Sequence, residues 1–158
     1  MNVWRLITHH KDKDRALLWA RQNGRIAIGW GAIGDIRRQG YRSDKEISAA
    51  IQREYPQLNN AALGGPSLWQ FYAEVQKGDL VILSADKPRV LVVEVDLENG
   101  DYEWTDEIQG PSEEYYHQRR VLMRRDQDAN DLWDRAGGAM PGQNPYLTLI
   151  RCALPLDD

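Results

Sequence analysis

The sequence predicts an α+β fold in which a curled antiparallel sheet, or small β-barrel, is flanked by two or three helices. Three observations carry this expectation. Helical patterns fall early in the chain and strand patterns mostly late, an α+β arrangement. Several strands alternate apolar and polar residues, which places one face in a core and leaves the other accessible. A length of 158 residues with 42% apolar and 28% charged content suits one soluble domain, residues 1–158, large enough to bury a sizeable core.

Val3-Trp4-Arg5-Leu6-Ile7-Thr8 alternates loosely and reads as the first strand. After the polar turn His9-His10-Lys11-Asp12, Asp12 or Asp14 caps a helix that runs to about Asn23 and closes on Gly24. Arg25 to Trp30 is the second strand. Asp35 to Ser43 is a polar, basic connection. Ser43 with Glu46 forms a capping box, opening a helix from Asp44 to about Glu54 that ends at Tyr55-Pro56. Leu58 to Pro66 reads as loop, and Ser67 caps a third helix, Leu68 to Gln76. Leu80–Leu83 and Val90–Val95 are apolar strands joined by a turn at Ala85 to Arg89. A short segment, Asp101 to Trp104, precedes a long alternating strand, Tyr116 to Arg125. Asp126 to Pro145 is polar and glycine-rich, with a short helix around Asn130 to Arg135, and Tyr146 to Cys152 is a last strand that closes the sheet.

Composition narrows the chemistry. No apolar run approaches the roughly 20 residues of a membrane helix. The amino terminus has no signal-peptide layout, and Cys152 is the one cysteine; both point to a reducing cytoplasm. A net charge of −4 argues against a grip on nucleic acid made of charge alone, yet leaves room for a local one. Fifteen arginines stand against five lysines, and several cluster: Arg37-Arg38 with Arg42, and Arg119-Arg120 with Arg124-Arg125. Arginine forks onto phosphates and stacks on flat rings, which lysine does poorly. Six tryptophans and seven tyrosines accompany a single phenylalanine, a bias toward stacking surfaces with polar edges rather than plain core filling.

The chain is organised around Ile26-Ala27-Ile28-Gly29-Trp30-Gly31-Ala32-Ile33-Gly34-Asp35-Ile36. A tryptophan between two glycines has little local bulk over its ring, so one face can receive a flat ligand. A core role at a strand end is the competing reading of Trp30. Catalytic readings are weaker. Gly29, Gly31 and Gly34 formally match a dinucleotide fingerprint, but that requires a helix at the third glycine, and Arg37-Arg38-Gln39-Gly40 does not read as one. His9-His10 with distant His117 lacks metal-site spacing. Glu113-Glu114 and Asp157-Asp158 read as solvated loop and tail. No nucleophile motif is present. The expectation is a binding protein, not an enzyme, with no cofactor and no metal.

The order of motifs resembles EVE-type domains of the PUA/YTH-like superfamily. The resemblance rests on Trp4 to Thr8, Ile28-Gly29-Trp30-Gly31 with Gly34-Asp35-Ile36, Trp69-Gln70-Phe71 leading to Lys77-Gly78-Asp79-Leu80-Val81, Val92 to Val95 with Asp101-Tyr102, and Tyr116-His117-Gln118-Arg119-Arg120-Val121. It covers about residues 3–125, leaving 126–158 as a closing segment. It implies a PUA/YTH-like curled barrel that takes a flipped or unpaired, often modified, nucleobase of DNA or RNA into an aromatic cage, as in modification-dependent restriction proteins. Trp30 and Trp104 become the cage walls, with Thr8 at the base edge and Gly29 and Gly31 beside it. Arg37, Arg38, Arg42, Arg119 and Arg120 become the backbone contacts, one of the last two on the binding face and the other solvated. Two departures stand out: Met123 occupies a position where related sequences often carry tryptophan, and cutting would need a separate nuclease or other effector. A protein-interaction module with purely structural tryptophans is the alternative.

Overall fold

Strand β1 (Val3–Ile7) is buried at every position, and the reason is its place in the sheet. It lies between β3 (Leu80–Ser84) and β7 (Leu149–Arg151). A computed structural model of the chain describes residues 1–9, 11–84, 89–144 and 146–157. Of the turn expected over Ala85 to Arg89, all but Arg89 lies outside them, as do His10, Pro145 and Asp158. The remaining strands are β2 (Arg25–Ile28), β4 (Arg89–Val95), β5 (Glu103–Trp104) and β6 (His117–Met123). The strand order is β2-β6-β4-β3-β1-β7, with β5 also paired to β6.

The sheet is curled into a half-barrel and is mixed, not antiparallel. β1 and β3 run parallel from Val3↔Leu80 to Ile7↔Ser84, while the other pairs are antiparallel. Parallel neighbours need a long crossover, and the chain between them carries most of the helices. Pairing direction leaves no mark on the alternation of a single strand, so the sequence could not reveal it. β7 does not join β2 among the described residues; the two stand at opposite ends of the strand order.

The expectation of one covered and one accessible face fails at the centre. Trp4, Leu6, Val81, Leu83, Val93 and Val95 point into the main core beneath the helices. Val3, Leu80, Ile82 and Val92 point the other way, into a second core with Ala129 and Leu132 of α5 (Ala129–Arg135) and its C-cap Ala136. Strands covered on both faces read as continuous apolar runs, as Leu80-Val81-Ile82-Leu83 does.

Five α-helices, not two or three, are present among the described residues. In α1 (Lys13–Asn23) the Asp12 carboxylate accepts from Arg15 N at 3.3 Å, and Gly24 closes the helix with a left-handed φ of 61°. α3 (Asp44–Glu54) starts on Ser43, whose Oγ accepts from Glu46 N at 3.2 Å. The Glu46 carboxylate accepts from Arg42 N rather than Ser43 N, a capping box displaced by one residue. Two helices were hidden in apparent loop: α2 (Ile36–Gln39) and α4 (Ala61–Trp69).

α4 contains Gly64-Gly65-Pro66, a poor helical sequence, and its surroundings explain it. A Cβ on Gly65 would lie 2.0 Å from Ser48 Oγ and 2.2 Å from Asp44 O, so only glycine lets α4 lie this close to α3. Pro66 cannot donate to Ala62 O; Ser48 Oγ donates to that carbonyl instead, at 3.4 Å. Ser67 is not a cap: it is buried inside α4, and its Oγ accepts from Leu149 N at 3.2 Å. The chain then widens into a π-helical turn, Gln70–Glu74.

Candidate functional site

At the end of β2 the backbone leaves the extended region abruptly. Trp30 holds φ 61° and ψ 36°, the left-handed conformation, without being glycine. For a bulky residue this is an outlier costing roughly 1–2 kcal/mol, so neighbouring contacts must enforce it. Trp30 O accepts from Ile33 N at 3.3 Å and from His117 Nε2 at 3.2 Å. Gly31 N donates to Glu114 O at 2.8 Å, and Trp104 Nε1 donates to Gly31 O at 2.9 Å. Glu114 is the other described non-glycine residue with positive φ, 62°. Its carboxylate accepts the Tyr55 hydroxyl proton, and Tyr55 Oη accepts from Ala32 N at 3.2 Å. The two strained residues are therefore joined through Gly31, and strain of this kind clusters at functional sites.

The glycines around Trp30 allow that contact. A Cβ on Gly31 would lie 2.4 Å from both Glu114 O and Tyr116 Cδ2, and one on Gly29 would lie 3.0 Å from the Tyr115 ring. The Trp30 ring edge lies over Gly64 of α4, where an added Cβ would come within 3.2 Å of Cε2 and Cζ2. The Trp104 ring centroid is 5.3 Å from that of Tyr116 at 72°. Both indoles are half-buried on the main core and are linked through Gly31. Trp69, on the same helix as Leu68, is equally half-buried, 6.0 Å from Tyr72. The fully buried tryptophan is Trp4, whose Nε1 donates to Asp79 Oδ2 at 3.0 Å.

A buried polar chain backs the turn, and its proton positions follow from chemistry. A carbonyl only accepts, so His117 Nε2 carries the proton that bonds Trp30 O. Nδ1 is then the acceptor for the Tyr102 hydroxyl at 2.8 Å, and Tyr102 Oη in turn accepts from Ile36 N at 3.1 Å. Burial lowers the His117 pKa to about 4 against the smaller opposing effects of the Trp30 carbonyl and Asp35, so the ring is neutral at pH 7. Burial raises the Tyr102 pKa as well.

The other expected site residues scatter. Thr8 is buried, and its Oγ1 has no hydrogen-bond partner among the described residues. It opens into a cavity of about 10 Å³ shared with Leu6, Trp19, Arg25 and Ala27, room for about one water molecule. Neither Trp30 nor Trp104 lines that cavity, so Thr8 is not brought to the indoles. Arg37 and Arg38 are exposed on α2 and Arg42 just beyond it. Arg119 and Arg120 do face opposite ways, but Arg119 is a buried residue, donating from Nε to Gly100 O at 2.9 Å and from Nη1 to Phe71 O at 2.8 Å. Arg120 is exposed on the face away from His117. Arg124 is paired with Glu94 and Asp126, both at 2.9 Å.

Sequence reasoning gave no site role to Tyr55, Gly64 or Tyr102, and its reading of Glu114 as solvated loop fails, since that residue is half-buried and bonded to Tyr55. Local signal for them is faint: only the common phase of His117, Arg119 and Val121 on β6 shows that His117 turns inward. A helix does follow the third glycine of Gly29, Gly31 and Gly34, contrary to expectation. It spans four residues, and its N-cap carboxylate, Asp35, accepts from Arg37 N at 2.9 Å where a pyrophosphate would need to sit. Among the described residues no three His, Cys, Asp or Glu side chains converge as metal ligands, and no helix is long and apolar enough to cross a membrane.

No curated protein and no solved structure matches the chain. A family model described as a domain of unknown function, DUF8426, matches residues 4–132, from β1 into α5. That span is most of the sequence, and the chain belongs to the DUF8426 family.

Proposed function

We propose that the protein is an EVE-type, PUA/YTH-like nucleic-acid-binding module that accommodates a flipped or unpaired, modified nucleobase against Trp30 and Trp104. The observation that carries this reading is the left-handed Trp30, held at an energetic cost by five hydrogen bonds at Trp30 and Gly31. A core tryptophan needs no such backbone; a ring that must present one orientation to a ligand does. Stacking a base on one aromatic ring contributes roughly 1–3 kcal/mol, and extruding a base costs a few kcal/mol. Two rings therefore roughly offset extrusion, while Arg37, Arg38 and Arg42, exposed just after the turn, supply phosphate contacts. In this reading DNA or RNA carrying a modified base is the ligand, and a separate nuclease or other effector acts on it.

The alternative, a protein-interaction module with structural tryptophans, draws on the packing of both indoles against the main core. Titrations with short modified and unmodified DNA and RNA oligonucleotides separate the two. Trp30→Ala and Trp104→Ala are each expected to lose roughly 1–3 kcal/mol of affinity. Trp4→Ala, the control the structure provides, should lower stability and leave binding per folded molecule unchanged. If the Trp30 and Trp104 variants behave like the Trp4 variant, the tryptophans are structural.

Salt dependence checks the arginines. Arg37→Ala should flatten the plot of log affinity against log salt by about one unit, the worth of one lost phosphate contact. Arg120→Ala, on the opposite side of β6, should leave the slope alone. Equal slopes for wild type and Arg37→Ala would remove α2 from the binding surface.

A further inference from the structure

Behind the Trp30 turn, on the far side of Tyr102, lies an open cleft of about 410 Å³ that includes Arg37, Tyr72, Lys77, Asp101, Tyr102 and Arg119 in its wall. Three of these side chains are cations and one is a carboxylate. Arg119 is 3% exposed, and among the described residues no carboxylate oxygen lies within 4 Å of its guanidinium. Its Nε and Nη1 donate to the carbonyls of Gly100 and Phe71, which orients the group without giving it a direct ion pair. Buried charges are ordinarily paired. The one carboxylate in the cleft wall, Asp101, is exposed and held by Lys77 Nζ at 3.5 Å. A Tyr72–Tyr102 edge-to-face pair, centroids 4.9 Å apart, gives the cleft a rigid aromatic wall.

We propose that this cleft is an anion site that takes a phosphate group between Arg37, Lys77 and Arg119, with Asp101 as the resident carboxylate that the phosphate displaces from Lys77. The arginine fork suits a tetrahedral oxyanion, and the polar mouth admits one without further burial of charge. Burial depresses the Arg119 pKa only to about 10, with Asp101 and Asp79 acting in the opposite sense, so the guanidinium stays charged at neutral pH. The phosphate can belong to a bound strand or to a free nucleotide. The strand source rests on the nucleic-acid reading above; the site itself does not.

The test is a titration of the isotope-labelled full chain with inorganic phosphate, followed by NMR at constant ionic strength with chloride as the balancing anion. Saturable shifts are expected at the Lys77 and Asp101 amides and the Arg119 Nε–H. Asp101→Asn should bind phosphate several-fold tighter and Lys77→Ala several-fold weaker; both positions are exposed, so both variants should fold. Shifts no different from those given by chloride, or variants that bind phosphate like wild type, overturn the proposal. Two further arms identify the source. Tighter binding of an abasic oligonucleotide than of a nucleoside monophosphate assigns the site to a strand backbone, and the reverse order to a free nucleotide; either supports the phosphate site. If the cleft ignores phosphate while Trp104→Ala still weakens oligonucleotide binding, the cleft proposal falls and the base site stands.

Discussion

Gly31→Ala is expected to destabilise the protein by about 3 kcal/mol, the upper end of the usual range for overpacking. The new methyl would meet Glu114 O and Tyr116 Cδ2, each at 2.4 Å. The first is backbone and the second is a ring packed edge-on against Trp104, so neither is the loose end of a flexible side chain. Relief requires the 29–34 turn to part from the segment carrying Glu114. That breaks the Gly31 N to Glu114 O bond and lifts Gly31 O away from Trp104 Nε1. Gly40→Ala makes the comparison clean. Gly40 has φ 72° and nothing within 4 Å of an added Cβ, so it should cost only about 1 kcal/mol of left-handed strain. Denaturant unfolding of both variants checks this. A Gly31→Ala loss no larger than that of Gly40→Ala would mean the two segments are not locked together.

Acidification provides the second large effect. A histidine with a depressed folded pKa binds its proton more readily unfolded than folded, so stability falls as pH drops from 6.5, the ordinary histidine value, toward the folded value of about 4. Each pH unit in that window is worth about 1.4 kcal/mol, and the whole window about 3 kcal/mol. The structural cause is specific. A proton on Nδ1 would turn the acceptor for the Tyr102 hydroxyl into a donor inside a fully buried site. His117→Gln keeps a donor for Trp30 O and an acceptor for Tyr102 but does not titrate. Other groups also exchange protons on acidification, so the measured quantity is the difference between wild type and His117→Gln from pH 7 to pH 4. Parallel stability curves for the two proteins would show that His117 is not the acid-labile group.

The two predictions concern one structure, and local patterns reveal only half of it. α1 between Asp12 and Gly24, and α3 after Ser43, were legible because a cap is settled by residues within four positions of each other. The strands β3, β4 and β6 were legible from their apolar runs and alternation. Trp30 stood out because two glycines flank it. What those glycines accommodate did not: the Glu114 carbonyl and the Tyr116 ring come from more than eighty residues away in sequence.

Long-range contact also overrode local preference. Gly64-Gly65-Pro66 disfavours a helix in isolation, yet the close surface of α3 makes those small residues the ones that fit. Arg119 and Arg120 are chemically identical neighbours, and alternation alone placed them on opposite faces. Which face is the interior depends on the pairing of β6 with β2 and β4, and that assignment made one a buried cation and the other a solvated one. Thr8 falls just beyond β1 rather than ending it, and it lines a cavity shared with Trp19 that neither Trp30 nor Trp104 lines. Capping, periodicity and turn chemistry are short-range and can be read residue by residue. Strand direction, the inner face of β6, the helix at Gly64-Gly65-Pro66 and the company of Trp30 depend on which distant surfaces meet, and no local window of sequence contains that information.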